Sequence, residues 1–471
     1  MNTTTKGIRT QHPIYQQLSP VWKVARDVAE GERAIHAGGE AYLSKLKDED
    51  IDNYKARLNR TPFFGAFWRT VSGLKGMLFR KAPQVVVPDS AKPYLSDIDK
   101  AGTPLDLFVQ CLAEELFVVG RVGVLVDHPP KPLVGAETVA LSEAAGLRPT
   151  MQKYSAETII NWKTARINNA TQLVLVVLKE SYALASMFDY GHEAEDRYRE
   201  LTLTPQGYRQ RVFVIRDDKD VMVEPEMFPL MNGAVMHFIP FFFFGVDSGA
   251  VNPESPPLED LMNMNLHHYT VSADHEHGCH LSGLATPYIA GYSPSLNEKS
   301  IGVGSLAFHC FPDPSARMAY AEVSGDFAAL VSNLTAKKAE MAVLGARMLE
   351  GGKSAVESGE TQRQRVMGEQ SQLAGMAQVM SMCVTRALAV FCEWAGSVAT
   401  DGVSYEINRD FIPAGLGATE ITALVSAMQA GAYSKQTLHE NLQRAEVISQ
   451  GVTFEEEQER INSQKLPGND D

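Results

Sequence analysis

A chain of 471 residues with 44% hydrophobic and 21% charged residues can bury a large core, on the scale of about three domain-sized units, which excludes a wholly disordered or collagen-like chain. The 43 basic and 57 acidic residues leave a formal charge of -14, so stable sequence-specific DNA binding is disfavoured, whereas a duplex could pass without adhering. Cys111, Cys279, Cys310, Cys383 and Cys392 form no Cys-x-x-Cys pair and read as reduced, mostly buried thiols. The N-terminus MNTTTKGIRTQHPIYQQ lacks the apolar core of a signal peptide, and the longest greasy run, Phe238 to Phe244, contains Pro240 and is too short to span a bilayer. No membrane segment is expected.

Ser19-Pro20 reads as a helix start, followed by an apolar face of Val21, Trp22, Ala25 and Val28. Thr61-Pro62 and Thr103-Pro104 repeat the signal. Phe63, Phe64, Phe67, Trp68, Val71, Leu74 and Leu78 follow the first of these, and Leu105, Phe108, Leu112 and Leu116 follow the second, with a stop near Gly120. From Arg121 the period changes: VGVLVD, TQLVLVVLKESY, YRELTLT, QRVFVIRD and MHFIPFFFF predict mostly antiparallel strands. Residues 128 to 150 read as an exposed connector rich in Pro, Gly and Ala.

A helix starts at Ser255-Pro256-Pro257, with Glu259 and Asp260 favouring its dipole, and is expected to reach about His280. Residues 284 to 325 read as a compact strand-and-turn insertion. A second helix then carries Phe327, Leu330, Val331, Leu334, Met341, Leu344 and Met348 at three- and four-residue spacing, with Asp326 as a candidate N-cap. Glycines and polar residues from Glu350 to Thr361 predict an exposed, mobile loop. A third helix runs through Val366, Leu373, Met376, Met380, Cys383, Ala387, Phe391 and Trp394 to Gly396. A short strand at Val403 to Ile407, a helix pair hinged at Gly431 to Ser434 and a frayed tail from EEEQERINSQ onward complete the reading. The fold class expected is α+β. On its own, helix, loop and longer helix is also the pattern of an ordinary bundle.

Chemical motifs are weak. Gly352-Lys353-Ser354 copies the end of a phosphate-binding loop, but Arg347 stands where the first glycine belongs and a helix precedes it in place of a strand. His267, His268, Asp274, His275, His277, Cys279 and His280 are metal-ligand types without a zinc-site spacing, and several should point to different sides of one helix. Among them His275, His277, Cys279 and His280 would be the metal candidates. Asp127-His128 reads as a strand-end turn with no nucleophile motif beside it, and Phe241 to Phe244 as a buried strand.

Three stretches, YKARLNRTPFFGAFWRTVSGLKGMLFRKAP, PPLEDLMNMNLHHYTVSADHEH and MAVLGARML with its glycine-rich loop, resemble the portal, or head-to-tail connector, proteins of tailed bacteriophages. The resemblance covers most of the chain. It implies a wing over residues 1–254, a first stem helix over 255–283, a clip over 284–325, a second stem helix over 326–349 and a tunnel loop over 350–361. A long wing helix with a returning strand over 362–415 and a crown with tail over 416–471 would follow. It also implies a ring of about twelve copies at one capsid vertex, assembled in the host cytoplasm. The implied partners are the major capsid protein, the terminase large subunit, a head-tail adaptor and double-stranded DNA, with no cofactor and no enzymatic activity.

Under that resemblance Glu350, Gly351, Gly352, Lys353, Glu357 and Glu360 would form the narrowest part of the passage, and Lys337 and Lys338 are the channel-facing candidates on the second stem helix. Two other readings compete: a metal-dependent hydrolase built on the His267–His280 cluster with Asp127-His128, and a phage scaffold or adaptor that forms no channel.

Overall fold

A computed structural model describes residues 7–129, 146–184, 190, 192–283, 286–290, 315, 317–321, 327–346, 359–397, 402–409, 411, 418–445, 447–449 and 451–464. The chain divides into two units, Met1–Ile407 and Asn408–Asp471. It mixes helices with exclusively antiparallel strand pairs among the described residues, which is the α+β class.

The first unit opens with α1 (Pro13–Glu30), α2 (Glu32–Gly38), α3 (Ile51–Arg60), α4 (Ala66–Leu78) and α5 (Leu105–Val119). The α1 helix starts seven residues before the Ser19-Pro20 signal: His12 caps it, its Nδ1 accepting from the Ile14 N–H at 3.2 Å, and Pro13 takes the first turn. Pro20 therefore lies inside the helix, tolerated although it removes one backbone donor. Thr61-Pro62 ends a helix instead of starting one, because the Thr61 hydroxyl and N–H both donate to the Arg57 carbonyl and close α3. Thr103-Pro104 does precede α5, and Gly120 ends it at φ 76°, where a Cβ would also meet the Ser255 carbonyl at 3.0 Å.

Two sheets follow. The three-stranded one has the order β11 (Phe241–Gly245), β2 (Arg121–Asp127), β3 (Thr150–Ser155). The five-stranded meander runs β4 (Ile159–Ile167), β5 (Ala170–Ala183), β6 (Ala194–Thr204), β7 (Gly207–Arg216) and β8 (Lys219–Met222). The strands β3 and β4 went unread in the sequence because TMQKYS and IINWKTARI mix polar and apolar residues. In the meander, the β4–β5 and β7–β8 hairpins are set by Asn168-Asn169 and Asp217-Asp218, all at positive φ, the left-handed pair that a tight two-residue turn demands. Small pairs complete the unit: β1 (Gln84–Val86) with β14 (Ser404–Glu406), β9 (Leu230–Met231) with β10 (Ala234–Val235), and β12 (Thr286–Ala290) with β13 (Arg317–Ala321).

The core lies where α5 and the long helix α8 (Gly359–Trp394) cover the three-stranded sheet. Phe108, Leu112, Val124, Met151 and Phe244 come together with Val384 and Ala387 there, all buried, the larger side chains contributing on the order of 2 kcal/mol each. Phe241, Phe243 and Phe244 are buried, in line with the buried-strand reading. The longest apolar stretch is not at Phe238 but in α8, Gln372–Trp394, and its burial against β11 and β14 makes it a core helix. Cys383 and Cys392 are buried there, and burial pushes both thiols up to about 11, whereas Cys279 is exposed, against expectation; Cys310 lies outside the described residues. Most of the 128–150 connector does too.

The second unit contains α9 (Ala418–Gln429), α10 (Lys435–Arg444) and α11 (Phe454–Gln464). The stretch expected to fray is thus helical as far as Gln464, and its last residues lie outside the described ones. Its start is a reciprocal cap: the Glu456 N–H donates to Thr453 Oγ1 at 3.2 Å and the Thr453 N–H to Glu456 Oε2 at 3.0 Å.

Candidate functional site

The stem-like feature is built by α6 (Glu259–Gly283) and α7 (Ala328–Met341), the latter continued by a π-helical turn over Ala342–Ala346. At about 1.5 Å per residue α6 is a rod of roughly 37 Å. Its buried positions, Leu261, Met262, Asn265, His268, Tyr269, Ser272 and Ala273, follow a helical period and then cease; from Asp274 to Gly283 nothing is buried. The α7 helix mirrors this, since nothing from Phe327 to Glu340 is buried and Met341 is.

Three contacts fix how the helices run. Phe327 lies against Gly278, where a Cβ would come within 2.5 Å of its ring; Lys338 shares Phe64 with His268; and Gly345 faces Leu261, where a Cβ would come within 2.7 Å. As one index falls the other rises by almost the same step, so the pair is an antiparallel hairpin. Glycine fits at both ends because a side chain of the neighbouring element, Phe327 at one and Leu261 with Thr70 at the other, fills the space where its own would stand. The base of the hairpin is seated on α4: Asn265 accepts from the Phe67 N–H at 3.1 Å and donates to the Phe64 carbonyl at 2.8 Å, and the π turn packs on Thr70.

The outward face of α7 is Ala328, Ala329, Val331, Ser332, Thr335, Ala336 and Ala339, all exposed, with Lys337, Lys338 and Glu340 the only charges in the helix. Val331 at 48%, Val343 at 53% and Leu344 at 39% exposure continue it. Of the expected stripe, Met341 is buried, Phe327, Leu330 and Leu334 are half-buried, and Val331 and Leu344 are exposed. A helix face meant for water carries more charge than this.

The predicted site residues fall as follows. Lys338 Nζ lies 5.1 Å from the Phe64 ring centroid, and Lys337 is half-buried beside it. Residues Glu350, Gly351, Gly352, Lys353 and Glu357 lie outside the described residues, as does Asp326. Glu360, expected in the loop, falls in the first turn of α8, which begins at Gly359.

The histidine cluster is spread over different faces of α6. His268 is buried against Phe64, and burial, then Lys338 and Lys337, lowers its pKa to about 4. His275 Nε2 lies 3.6 Å from Cys279 Sγ, while its Nδ1 lies 3.4 Å from Glu276. His277 faces α3, its pKa lowered by burial and then by Arg57 and Arg60. His280 lies near His277 and helps to lower its pKa, and among the described residues no three metal-ligating side chains come together. Asp127 ends β2 in the sheet region, apart from these residues in the fold.

One functional-looking feature escaped the sequence reading. The buried pair Arg57–Glu49, at 2.8 Å, holds Glu49 at about 2 and faces Asp274 and His277 of α6. An Asp50 cap on α3 was its only local signal.

A family model described as a domain of unknown function, DUF4055, matches residues 257–395. That span starts two residues before α6 and ends one residue after α8. No curated protein matches the chain. Among solved structures, a chain from the virion of a native gene transfer agent particle is similar at 10% identity and a TM-score of 0.40, over 86% of this chain and 96% of that one. A chain from the neck of an empty gene transfer agent particle computed with C6 symmetry is similar at 11% identity and TM-score 0.39, over 86% and 96% of the two chains. A third, from the neck of a native particle computed with C12 symmetry, stands at 12% identity and TM-score 0.37, over 86% and 98%.

Proposed function

We propose that this chain is the subunit of a phage portal-type ring, a conduit at one capsid vertex through which DNA is packaged and ejected. The observation that carries the reading is the hairpin of α6 and α7, in which nothing from Asp274 to Gly283 or from Phe327 to Glu340 is buried and whose α7 face is nearly free of charge. A rod of that kind is stable when copies of it pack side by side around an axis. The three portal-like stretches support the same role: two of them belong to the hairpin, and the third contains the α4 residues on which it rests.

In this reading the wing is the folded body, the β12–β13 pair belongs to the clip, and Lys337 and Lys338 line the passage, touching phosphates transiently in an otherwise acidic molecule. Residues 350–361 form its narrowest part. Twelve copies, contacts to the major capsid protein, and docking of a terminase large subunit and a head-tail adaptor complete the role, with no chemistry performed by the chain itself.

Electron microscopy and mass measurement of the purified protein at micromolar concentration test it. Rings with an axial hole are expected, and a purely monomeric protein refutes the proposal. In assembled particles, replacing Gly351 and Gly352 by proline is expected to impair DNA packaging or retention while rings still form; the opposite outcome would make the segment an assembly element.

A further inference from the structure

The segment ahead of α1, residues 7–12, is strapped across the five-stranded meander. The Ile8 N–H donates to Asp220 Oδ2 at 2.7 Å, Arg9 pairs with Asp218 at 3.0 Å, Asn161 Nδ2 donates to the Thr10 carbonyl at 2.8 Å, and the His12 N–H donates to the Ile160 carbonyl at 2.9 Å. Arg9 and Asp218 are exposed, so their pair contributes little. At His12 the strap becomes helix, and the imidazole serves both. Its Nδ1 accepts from the Ile14 N–H at 3.2 Å as the cap of α1, and its ring stacks on Trp162 of β4, with centroids 4.1 Å apart and 17° between the planes.

The cap requires a neutral ring. A protonated imidazole carries a hydrogen on Nδ1 and cannot accept, and it sets a positive charge against the positive end of the α1 dipole. The indole beneath it already carries a cation. The Arg121 guanidinium lies 4.0 Å from the Trp162 ring centroid and 4.5 Å from that of Phe243; it is buried, and among the described residues none of its nitrogens has a hydrogen-bond partner. Of the other charges around the groove that His12 and Trp162 line, Glu200 pairs with Arg211 at 2.7 Å, Asp220 accepts from the Ile8 N–H, and Arg9 and Lys163 are positive. Burial, and then Arg121, lower the pKa of His12.

We propose that His12 is an acid-sensitive latch, whose protonation frees residues 7–12 and the first turn of α1 from β4 while the sheet itself stays folded. The fold favours the neutral ring, so the latch is fully closed above the ordinary imidazole value of 6.5 and opens as pH falls below it. The inference goes beyond the portal reading and does not depend on it.

Amide hydrogen exchange of the full-length protein, followed by mass spectrometry between pH 7.5 and 5 and corrected for the intrinsic rate at each pH, tests the latch. Protection of the amides from Ile8 to Gln17 is expected to fall several-fold by pH 5, up to a ceiling of about thirtyfold set by an imidazole of ordinary pKa, while the amides of β2 lose less. His12→Asn keeps a capping side chain that does not titrate, so its strap should hold the same protection at both pH values. His12→Ala should leave the strap weakly protected throughout. A wild-type change below twofold, an equal loss in β2 that makes the event global, or the wild-type pH profile persisting in His12→Asn overturns the proposal.

Discussion

The two ends of α6 and α7 and the sheet-covering helices α5 and α8 are built from similar lengths of helix but bury their faces differently. In α8, ten side chains between Leu373 and Cys392 are buried in contact with the strands and α5, so a single chain completes that core. In α7 only Met341 is buried, and α6 gives up burial after Ala273. The difference teaches that one region is stabilised by its own chain, while the other carries an apolar, weakly charged face that the described residues leave uncovered.

Truncating the first region should show the largest effect on the isolated chain. Phe391→Ala removes a fully buried ring from the α8 seam and is expected to cost about 3 to 5 kcal/mol in chemical denaturation of the monomer. Arg57→Ala comes next. It leaves Glu49 as an uncompensated buried charge beside the hairpin base and should cost about 3 kcal/mol or more, whereas Arg57→Ala with Glu49→Ala should recover part of the loss in a double-mutant cycle.

A pH titration sharpens the comparison at the seam between the regions. His268 is buried with its pKa lowered to about 4 from an ordinary 6.5, so the fold favours its neutral form. Its contribution is fully present above pH 6.5 and is lost as pH falls toward 4, on the order of 3 kcal/mol. His12 and His277 are shifted in the same direction and add to the trend. Denaturant midpoints measured between pH 7 and 4 should fall, and His268→Leu should flatten the curve.

The smallest effect on the single chain is expected from Val331→Asp combined with Val343→Asp. Both sites are half exposed, so monomer stability should change by less than about 0.5 kcal/mol each while ring formation, scored by mass and micrographs, is lost. If rings persist, the α7 face is not a subunit contact and the contrast between the two regions has another meaning.

Much of the hairpin and its surroundings was legible in the sequence because the signals were local. The acidic first turn after Pro256-Pro257 placed α6, the spacing from Leu373 to Trp394 placed α8, and Gly120 ended α5. Where two local signals competed the reading went wrong: Ser19-Pro20 outweighed His12-Pro13, and Thr61 served as the last cap of α3. The Thr453-x-x-Glu456 box was written in the chain and passed over in favour of the acidity of what followed.

By itself, then, the sequence determined the α+β class, the succession of the three helices α6, α7 and α8 and the net acidity, since each follows from periodicity, capping and charge count, which are properties of neighbouring residues. Only the tertiary structure decided which helical stripe stays bare, how the histidines of α6 part company, and that Arg57 meets Glu49 out of water. Those are relations between residues far apart in the chain, and burial and pairing exist only once the fold has brought them together.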